Sequence, residues 1–242
     1  VLKLQGVGGQ AYEGERDWQR GEVRTWSRQS RARLMQQVSA INWDALRVAF
    51  VVLTWGKRAP KDGKEAHSCV EALWKAWERR YGKRPSGVWK KEFQRRGVIH
   101  YSMWLEIPEN ASFATLRKWT HETWYRLAGH GDVAHLYVGT HCSEYEGSPL
   151  TYLLKECFGA GKEYQNIPPV GFHTGRWWGF IGGLRPIWDE QELSFEQGVK
   201  VRRLMRGYLR AKGYRGRVRS SIHGVWASML PATRAKILET LR

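Results

Sequence analysis

A glutamate and a histidine flank a short turn in the segment 88–107. Glu92 lies in the alternating run VWKKEFQ and His100 in the apolar run VIHYSMWLEI, with Arg96 and Gly97 between them. Side chains alternate between the two faces of a strand, so a hairpin centred on this turn can set Glu92 and His100 side by side. A carboxylate and an imidazole on one face form half of a site for a divalent cation such as Mg²⁺ or Mn²⁺. An ordinary local pair explains the same residues, so both interpretations stay open.

A tyrosine and a lysine stand three residues apart in PLTYLLKECF, residues 149–158. On a helix, positions i and i+3 share one face, so Tyr152 and Lys155 are expected to be neighbours. A phenol with an ordinary pKa of about 10 is a poor nucleophile near neutral pH, but a nearby metal or ammonium can stabilise the phenolate. Lys155 is expected to do this or to hold a phosphate. An amphipathic helix with a tyrosine at its edge is the alternative without chemistry.

Hydrophobic periodicity and turn residues predict the elements that must position these side chains. Strands are expected at 47–55, 88–94, 98–107, 133–142 and 176–181, and helices at 69–81, 113–127, 149–158, 194–212 and 222–241. Ser68 is the expected N-cap of the first of these helices, after a loop at 57–67. Residues 1–20 are expected to be loosely ordered. The order of elements predicts an α+β fold, in which helices pack on an antiparallel sheet of about five strands.

The charge of the chain predicts a polyanionic partner. The 242 residues include 40 Lys and Arg against 23 Asp and Glu, a formal net charge of +17. Basic side chains release counterions when they neutralise phosphates, so nucleic acid is favoured over a basic protein without such a partner. The three cysteines form no CxxC pair, and no apolar run reaches the roughly 18 residues that span a membrane. We therefore expect a cytoplasmic protein with no membrane partner.

Four short motifs, in order, resemble those of the HUH endonuclease superfamily, the replication initiators of small plasmids and single-strand phages. VVLTW at 51–55 resembles its first motif, and EFQRRGVIHYSMWL at 92–105 resembles its metal-binding motif. TYLLKE at 151–156 resembles its tyrosine motif, and GRWWGF at 175–180 resembles a stretch that often follows. One departure is Ser102, which stands where the family usually has a second histidine.

The resemblance implies an RRM-like endonuclease core that nicks single-stranded or hairpin DNA at an origin of rolling-circle replication. Tyr152 would be the nucleophile and form a 5′-phosphotyrosine link, with Lys155 as its helper. Glu92, His100 and Ser102 would hold Mn²⁺ or Mg²⁺. The expected domains are a basic N-terminal extension at 1–46, the endonuclease domain at 47–190 and a basic helical region at 191–242. No phosphate-binding GxxxxGK[ST] loop is present, so unwinding would need a partner helicase.

The segment 200–219 is a dense run of lysine and arginine. Beside the motifs above, this charge favours contact with DNA over a merely solvated helix face. The residues expected to contact DNA are Arg202, Arg203, Arg206 and Arg210, together with Arg176 of the GRWWGF stretch.

Two other functions compete with an endonuclease. The first is a nucleic-acid-binding protein on the same scaffold that has lost catalysis at Ser102. The second is an RNA-binding protein whose aromatic side chains stack on bases. The second alternative predicts exposed aromatic residues on the sheet face that carries Glu92 and His100.

Overall fold

The protein is described by a computed structural model that covers residues 2–6, 25–153, 163–187, 189–211 and 225–227, with residues 213, 215 and 239. The chain forms two compact units, one of residues 20–185 and one of residues 1–19 with 186–242. The expected domain boundaries after residues 46 and 190 do not coincide with this division. Within the described part of the chain, no helix combines the length and apolar character that a bilayer crossing requires.

The unit of residues 20–185 is built on a five-stranded antiparallel sheet in the order β5-β2-β4-β3-β6. Its strands are β2 (Val48–Thr54), β3 (Gly87–Phe93), β4 (Ile99–Glu106), β5 (Thr140–Tyr145) and β6 (Trp178–Ile181), and its helices are α1 (Arg28–Ser39), α2 (Gly63–Tyr81), α3 (Phe113–Ala128) and α4 (Val133–Val138). Every neighbouring pair of strands is antiparallel. The predicted α+β class, with about five antiparallel strands and helices packed on them, is confirmed.

Helices α2 and α3 contribute large apolar side chains to a single core with the sheet. The described core of this unit includes Val51 and Leu53 of β2, both fully buried, and tryptophans of both helices. Trp74 of α2 lies 6.3 Å from Trp89 of β3, measured between ring centroids, and Trp124 of α3 lies 4.9 Å from Trp55. We call the sheet side that carries these residues the helix-covered face. The opposite side, which carries Glu92, is the site face.

Helix α2 begins earlier than the sequence predicts. It starts at Gly63 with Asp62 as N-cap, whose carboxylate accepts hydrogen bonds from the backbone N–H groups of Lys64 and Glu65 at 2.9 and 2.8 Å. The predicted cap at Ser68 is wrong: its hydroxyl lies inside the helix and donates to the Lys64 carbonyl. A carboxylate cap at the positive end of a helix is strong, so Asp62 determines where α2 starts. Of the loop expected at 57–67, residues 63–67 therefore belong to the helix.

The predicted strand at 133–142 is half wrong. Residues Val133–Val138 form α4, capped by the Asp132 side chain, and the strand β5 begins only at Thr140. The β-branched and aromatic residues of this run favoured a strand, but the Asp132 cap and Gly139 bound a short helix. Of the helix predicted at 149–158, residues 150–153 are helical, Pro149 lies in a turn, and residues 154–158 lie outside the described residues.

The second unit contains a three-stranded sheet in the order β7-β1-β8. Its described elements are β1 (Leu2–Gly6), β7 (Asp189–Leu193), α5 (Phe195–Ala211) and β8 (Val225–Ala227). Helix α5 agrees with the helix predicted at 194–212. The helix predicted at 222–241 is wrong at 225–227, which form β8, and residues 2–6 of the stretch expected to be loosely ordered form β1. Both strands pair with residues far away in the chain, which no local pattern reveals.

Candidate active site on the sheet

The β3–β4 hairpin sets Glu92 directly opposite His100. Gly97 in the turn has a φ of 78°, a conformation that favours glycine, and the turn gives the register that the sequence predicts. Nε2 of His100 lies 2.6 Å from Oε1 of Glu92, and the Ser102 hydroxyl donates to the same oxygen at 2.9 Å. Ser102 is fully buried, whereas the His100 side chain keeps 15% of its surface exposed. The three residues expected to hold a metal therefore converge on one carboxylate.

A buried lysine occupies the other side of this carboxylate. The Lys90 ammonium forms an ion pair with Oε2 of Glu92, and the Lys90 side chain is 1% exposed. Lys90 pairs with Ser102 in the strand register, so the two side chains emerge next to each other on the site face. The motifs in the sequence predict no role for Lys90. Its position in the strand could have indicated one, because it stands two residues before Glu92 and therefore points to the same face.

The charge state of Glu92 follows from these contacts. Burial by itself would raise the pKa of this carboxyl group. The Lys90 ammonium and the hydrogen bond from His100 outweigh burial and hold the pKa well below its usual value of 4.5. Glu92 is therefore a carboxylate in the folded protein, and both of its oxygens have partners.

Tyr152 lies on the site face. Its ring packs against Phe50 of β2 at 5.1 Å and against Trp104 of β4 at 5.4 Å between ring centroids. The Lys90 ammonium lies 5.6 Å from the centroid of the same ring. Lys90 therefore stands between the tyrosine and the Glu92 carboxylate, and the structure brings Tyr152, Glu92, His100 and Ser102 together. Lys155, the other residue of the tyrosine motif, lies outside the described residues.

The donor set does not fit a divalent cation. Among the described residues, no three His, Cys, Asp or Glu side chains form a group that could hold a metal ion. The Ser102 hydroxyl directs its proton to Glu92, and the one carboxylate is already neutralised by an ammonium in direct contact. A second cation on Glu92 would be repelled by Lys90 across a short distance in a buried setting, where the repulsion is weakly screened.

A cavity of about 410 Å³ opens beside the site, at the end of β2. Thr54, which pairs with His100 in the sheet, lines it together with Gln94 and Arg96. Among the described residues, the buried Thr54 hydroxyl has no hydrogen bond partner. Arg96 donates to the Trp55 carbonyl at 2.8 Å and to the Gln94 side chain at 2.7 Å. The lining of this cavity near the hairpin turn therefore carries both basic side chains, Lys57 and Arg96, and an acidic one, Asp132.

The arginines predicted to contact DNA are divided between the two units. Arg176 is exposed and lines a separate cavity of about 500 Å³ together with His67 and Lys91. Lys91 precedes Glu92 on β3 and lies on the helix-covered face, so Arg176 does not join the tyrosine and the carboxylate. Arg203, Arg206 and Arg210 are exposed on α5. Arg202 is half-buried there and donates to the Gly198 carbonyl at 3.1 Å.

An exposed histidine lies at the border of the site face. His141 of β5 pairs with Val52 of β2, which in turn pairs with Ser102 of β4. Its ring lies 6.0 Å from that of Phe50. The expected strand would have put His135 on the same face, but His135 belongs to α4 and is buried, with Nε2 at 2.9 Å from the Thr54 carbonyl oxygen.

The aromatic residues at the centre of the site face are not available for base stacking. Phe50 is 8% exposed and Trp104 is 1% exposed. Tyr152 packs against both, so a base could not reach their rings. Phe50 and Trp104 are therefore closed to stacking, whereas Trp178 and Phe180 of β6, which pair with Lys90 and Val88 on the same face, are only half-buried.

Comparisons with known proteins add no assignment. No family model, no curated protein and no solved structure matches the chain.

Proposed function

We propose that the chain is a DNA endonuclease and strand transferase that initiates rolling-circle replication through Tyr152. It would nick single-stranded or hairpin DNA at an origin and rejoin it. The observation that supports this most is the position of Tyr152, whose ring packs on the sheet face of Glu92 and His100 beside a buried ammonium. A tyrosine next to fixed positive charge is suited to attack a phosphodiester, because negative charge develops on the reacting oxygens.

In the proposed reaction, the Tyr152 oxygen bonds to the scissile phosphorus and the bond from phosphorus to the 3′ oxygen breaks. The phenol loses its proton, and the departing oxygen takes up a proton. The products are a 5′-phosphotyrosine and a free 3′-hydroxyl. The new ester conserves the phosphodiester bond, so attack by a 3′-hydroxyl reverses the step and joins strands without a nucleotide cofactor. Lys155 would hold the phosphate, and a partner helicase would unwind the duplex.

A second candidate is a nucleic-acid-binding protein that uses the same surface without cutting DNA. The pairing of Glu92 with Lys90 favours it, because this pairing leaves no free carboxylate for a metal. The net charge of +17 serves DNA binding in either case. The two candidates differ in one product, the covalent link between tyrosine and DNA.

The test incubates the protein with a pool of single-stranded DNA of random sequence, labelled at the 5′ or at the 3′ end. Parallel reactions contain Mn²⁺, Mg²⁺ or EDTA, and denaturing gels detect covalent adducts. We expect an adduct that keeps the 3′ label and loses the 5′ label. Tyr152→Phe should form none while still binding DNA, since only the attacking oxygen is removed.

Tyr145→Phe is the matched control, because Tyr145 lies on the same face with its ring 6.0 Å from Phe50. It should form the adduct at the wild-type level. DNA binding without any adduct in all three reactions would favour the non-cutting alternative. An adduct that survives Tyr152→Phe would mean that another residue is the nucleophile.

A further inference from the structure

Lys90 is a lysine with almost no solvent contact on the same sheet face as the proposed nucleophile. Its side chain is 1% exposed, and that of Glu92 is 3% exposed. An ammonium is rarely buried unless it is paired, because desolvation of a charge is costly. The pair with Glu92 meets that condition, and the site thus contains a fixed cation supplied by the chain itself.

The neighbour of Lys90 on β4 leaves room for this arrangement. Ser102 pairs with Lys90 in the register and is the smallest side chain of the cluster. Directly opposed side chains on one face are separated by about 5 Å between Cβ atoms, so a large residue at 102 would compete with the Lys90 stem for space. The serine instead donates one hydrogen bond to Glu92 Oε1, while the lysine takes Oε2.

The ammonium also contacts the proposed nucleophile. It lies over the Tyr152 ring at 5.6 Å from the centroid. Among the described residues, Glu92 is its hydrogen bond acceptor, and an ammonium has three N–H donors. One cation therefore lies against both the carboxylate and the face of the tyrosine ring. A positive charge this close to the ring favours the negative charge that develops on the phenol and the phosphate during attack.

We propose that Lys90 supplies the positive charge of this site in place of a divalent cation, so that nicking and joining need no divalent metal. The inference rests on the proposed function. The step is a transesterification. The bond from the Tyr152 oxygen to phosphorus forms, and the bond from phosphorus to the 3′ oxygen breaks. The phenol gives up one proton, and the departing 3′ oxygen takes one up. Lys90 keeps its charge throughout.

A matched control residue stands next to Lys90 in the chain. Lys91 is 2% exposed and belongs to the same strand, but it lies on the helix-covered face and donates to the Thr174 carbonyl at 2.7 Å. Lys91→Met removes a buried ammonium from β3 without touching Glu92 or Tyr152. Lys90→Met and Lys91→Met are therefore compared, with the thermal unfolding of both variants recorded.

The experiment measures the rate at which metal-stripped protein nicks a single-stranded oligonucleotide that is cut in the random pool. The rate is compared in EDTA and in Mn²⁺. We expect the wild type to cut in EDTA within about threefold of its rate in Mn²⁺, and Lys90→Met to lose about 100-fold or more in EDTA. Lys91→Met should keep the wild-type rate in EDTA if it is folded. Lys90→Arg, which keeps the charge, should retain more activity than Lys90→Met.

A second readout does not depend on cutting activity. Binding of Mn²⁺ is followed by electron paramagnetic resonance on the free protein. The wild type should bind Mn²⁺ no more tightly than the Glu92→Gln variant does. The double variant with Lys90→Met and Ser102→His should bind Mn²⁺ at least about tenfold more tightly than the wild type.

Two results would overturn the inference in distinguishable ways. Wild-type activity that disappears in EDTA and returns with Mn²⁺ would show that Lys90 does not replace a metal, while the proposed function would stand. Absence of cutting in EDTA, Mn²⁺ and Mg²⁺ alike would overturn the proposed function and this inference with it.

Discussion

Oε1 of Glu92 and Nε2 of His100 lie 2.6 Å apart across the β3–β4 hairpin. Because the Glu92 carboxylate is ionised and can only accept, the His100 ring must donate through Nε2. This hydrogen bond fixes the orientation of the ring at the exposed rim of a buried ion pair. The hairpin thus presents an oriented imidazole next to a carboxylate whose charge is already balanced.

Glu92→Gln should destabilise the protein by about 3 kcal/mol at neutral pH, because it leaves the buried Lys90 ammonium without a counter-charge. Urea unfolding measures the free energy of unfolding of both proteins. The control is Glu122→Gln, which removes an exposed carboxylate that lies 4.0 Å from Lys118. The control should cost less than about 0.5 kcal/mol. Equal losses in the two variants would mean that the Glu92 pair contributes no more than a surface pair.

The difference between wild type and Glu92→Gln should depend on pH. The pKa of Glu92 is lowered in the folded protein, so the unfolded chain takes up a proton at higher pH than the folded chain does. The stabilisation is present above the ordinary pKa of 4.5 and is lost as the pH falls below it. Unfolding at neutral pH, at pH 4.5 and at about pH 3 checks the sign. A difference that grows with acidity would contradict an ionised Glu92.

The two members of the buried pair should be strongly coupled. Lys90→Met and Glu92→Gln each leave one charge buried without its partner, whereas the double variant removes both charges. We expect the double variant to be more stable than the sum of the single losses by about 2 kcal/mol. The same cycle at Lys118 and Glu122, with side chains 80% and 53% exposed, should give less than about 0.5 kcal/mol. Additive losses at the buried pair would refute the coupling.

Gly63 cannot accept a larger side chain. A Cβ at this position would lie 2.2 Å from the Thr174 carbonyl oxygen, and the Gly63 N–H donates to the His173 carbonyl at 2.8 Å. We expect Gly63→Ala to cost about 2 kcal/mol in the free energy of unfolding, since backbone has to move. Gly183→Ala is the control, because a Cβ there meets nothing within 4 Å. It should change stability by less than about 0.5 kcal/mol.

The salt dependence of DNA binding should report the basic face of α5. Replacing Arg202, Arg203 and Arg206 by glutamine should make the slope of log affinity against log salt shallower by about two units, if each contacts one phosphate of a single strand. The control removes the same charge from the exposed residues Lys75, Arg79 and Lys118 of α2 and α3. An equal change in both variants would mean that net charge alone, rather than α5, determines the slope.

The sequence predicts the β3–β4 hairpin well because everything that determines it is local. Alternation places Glu92 and His100, and the Arg96–Gly97 turn gives their register. The start of α2 and the helix α4 were missed because a single aspartate cap in each case outweighed the pattern of the residues that follow. The strands β1 and β8 were missed because their partners lie at the other end of the chain.

The candidate site was predicted in part for the same reason. Parity places Glu92, His100 and Ser102 on one face, but it cannot show which of the other residues on that face reaches the carboxylate. Lys90 shares the parity, and only its burial and its contact with Oε2 distinguish it from a solvated lysine. The position of Tyr152 over Trp104 depends on the pairing of β5 with β2, which is a contact between distant segments.

The sheet order implies an order of assembly during synthesis. The hairpin that carries Lys90, Glu92, His100 and Ser102 is contiguous and closes with little loss of chain entropy. Tyr152 can settle on this face only after β5, which is synthesised later, has paired with β2. The hairpin can therefore pair before Tyr152 is synthesised, whereas β6, whose Trp178 pairs with Lys90, joins the edge of the sheet after both.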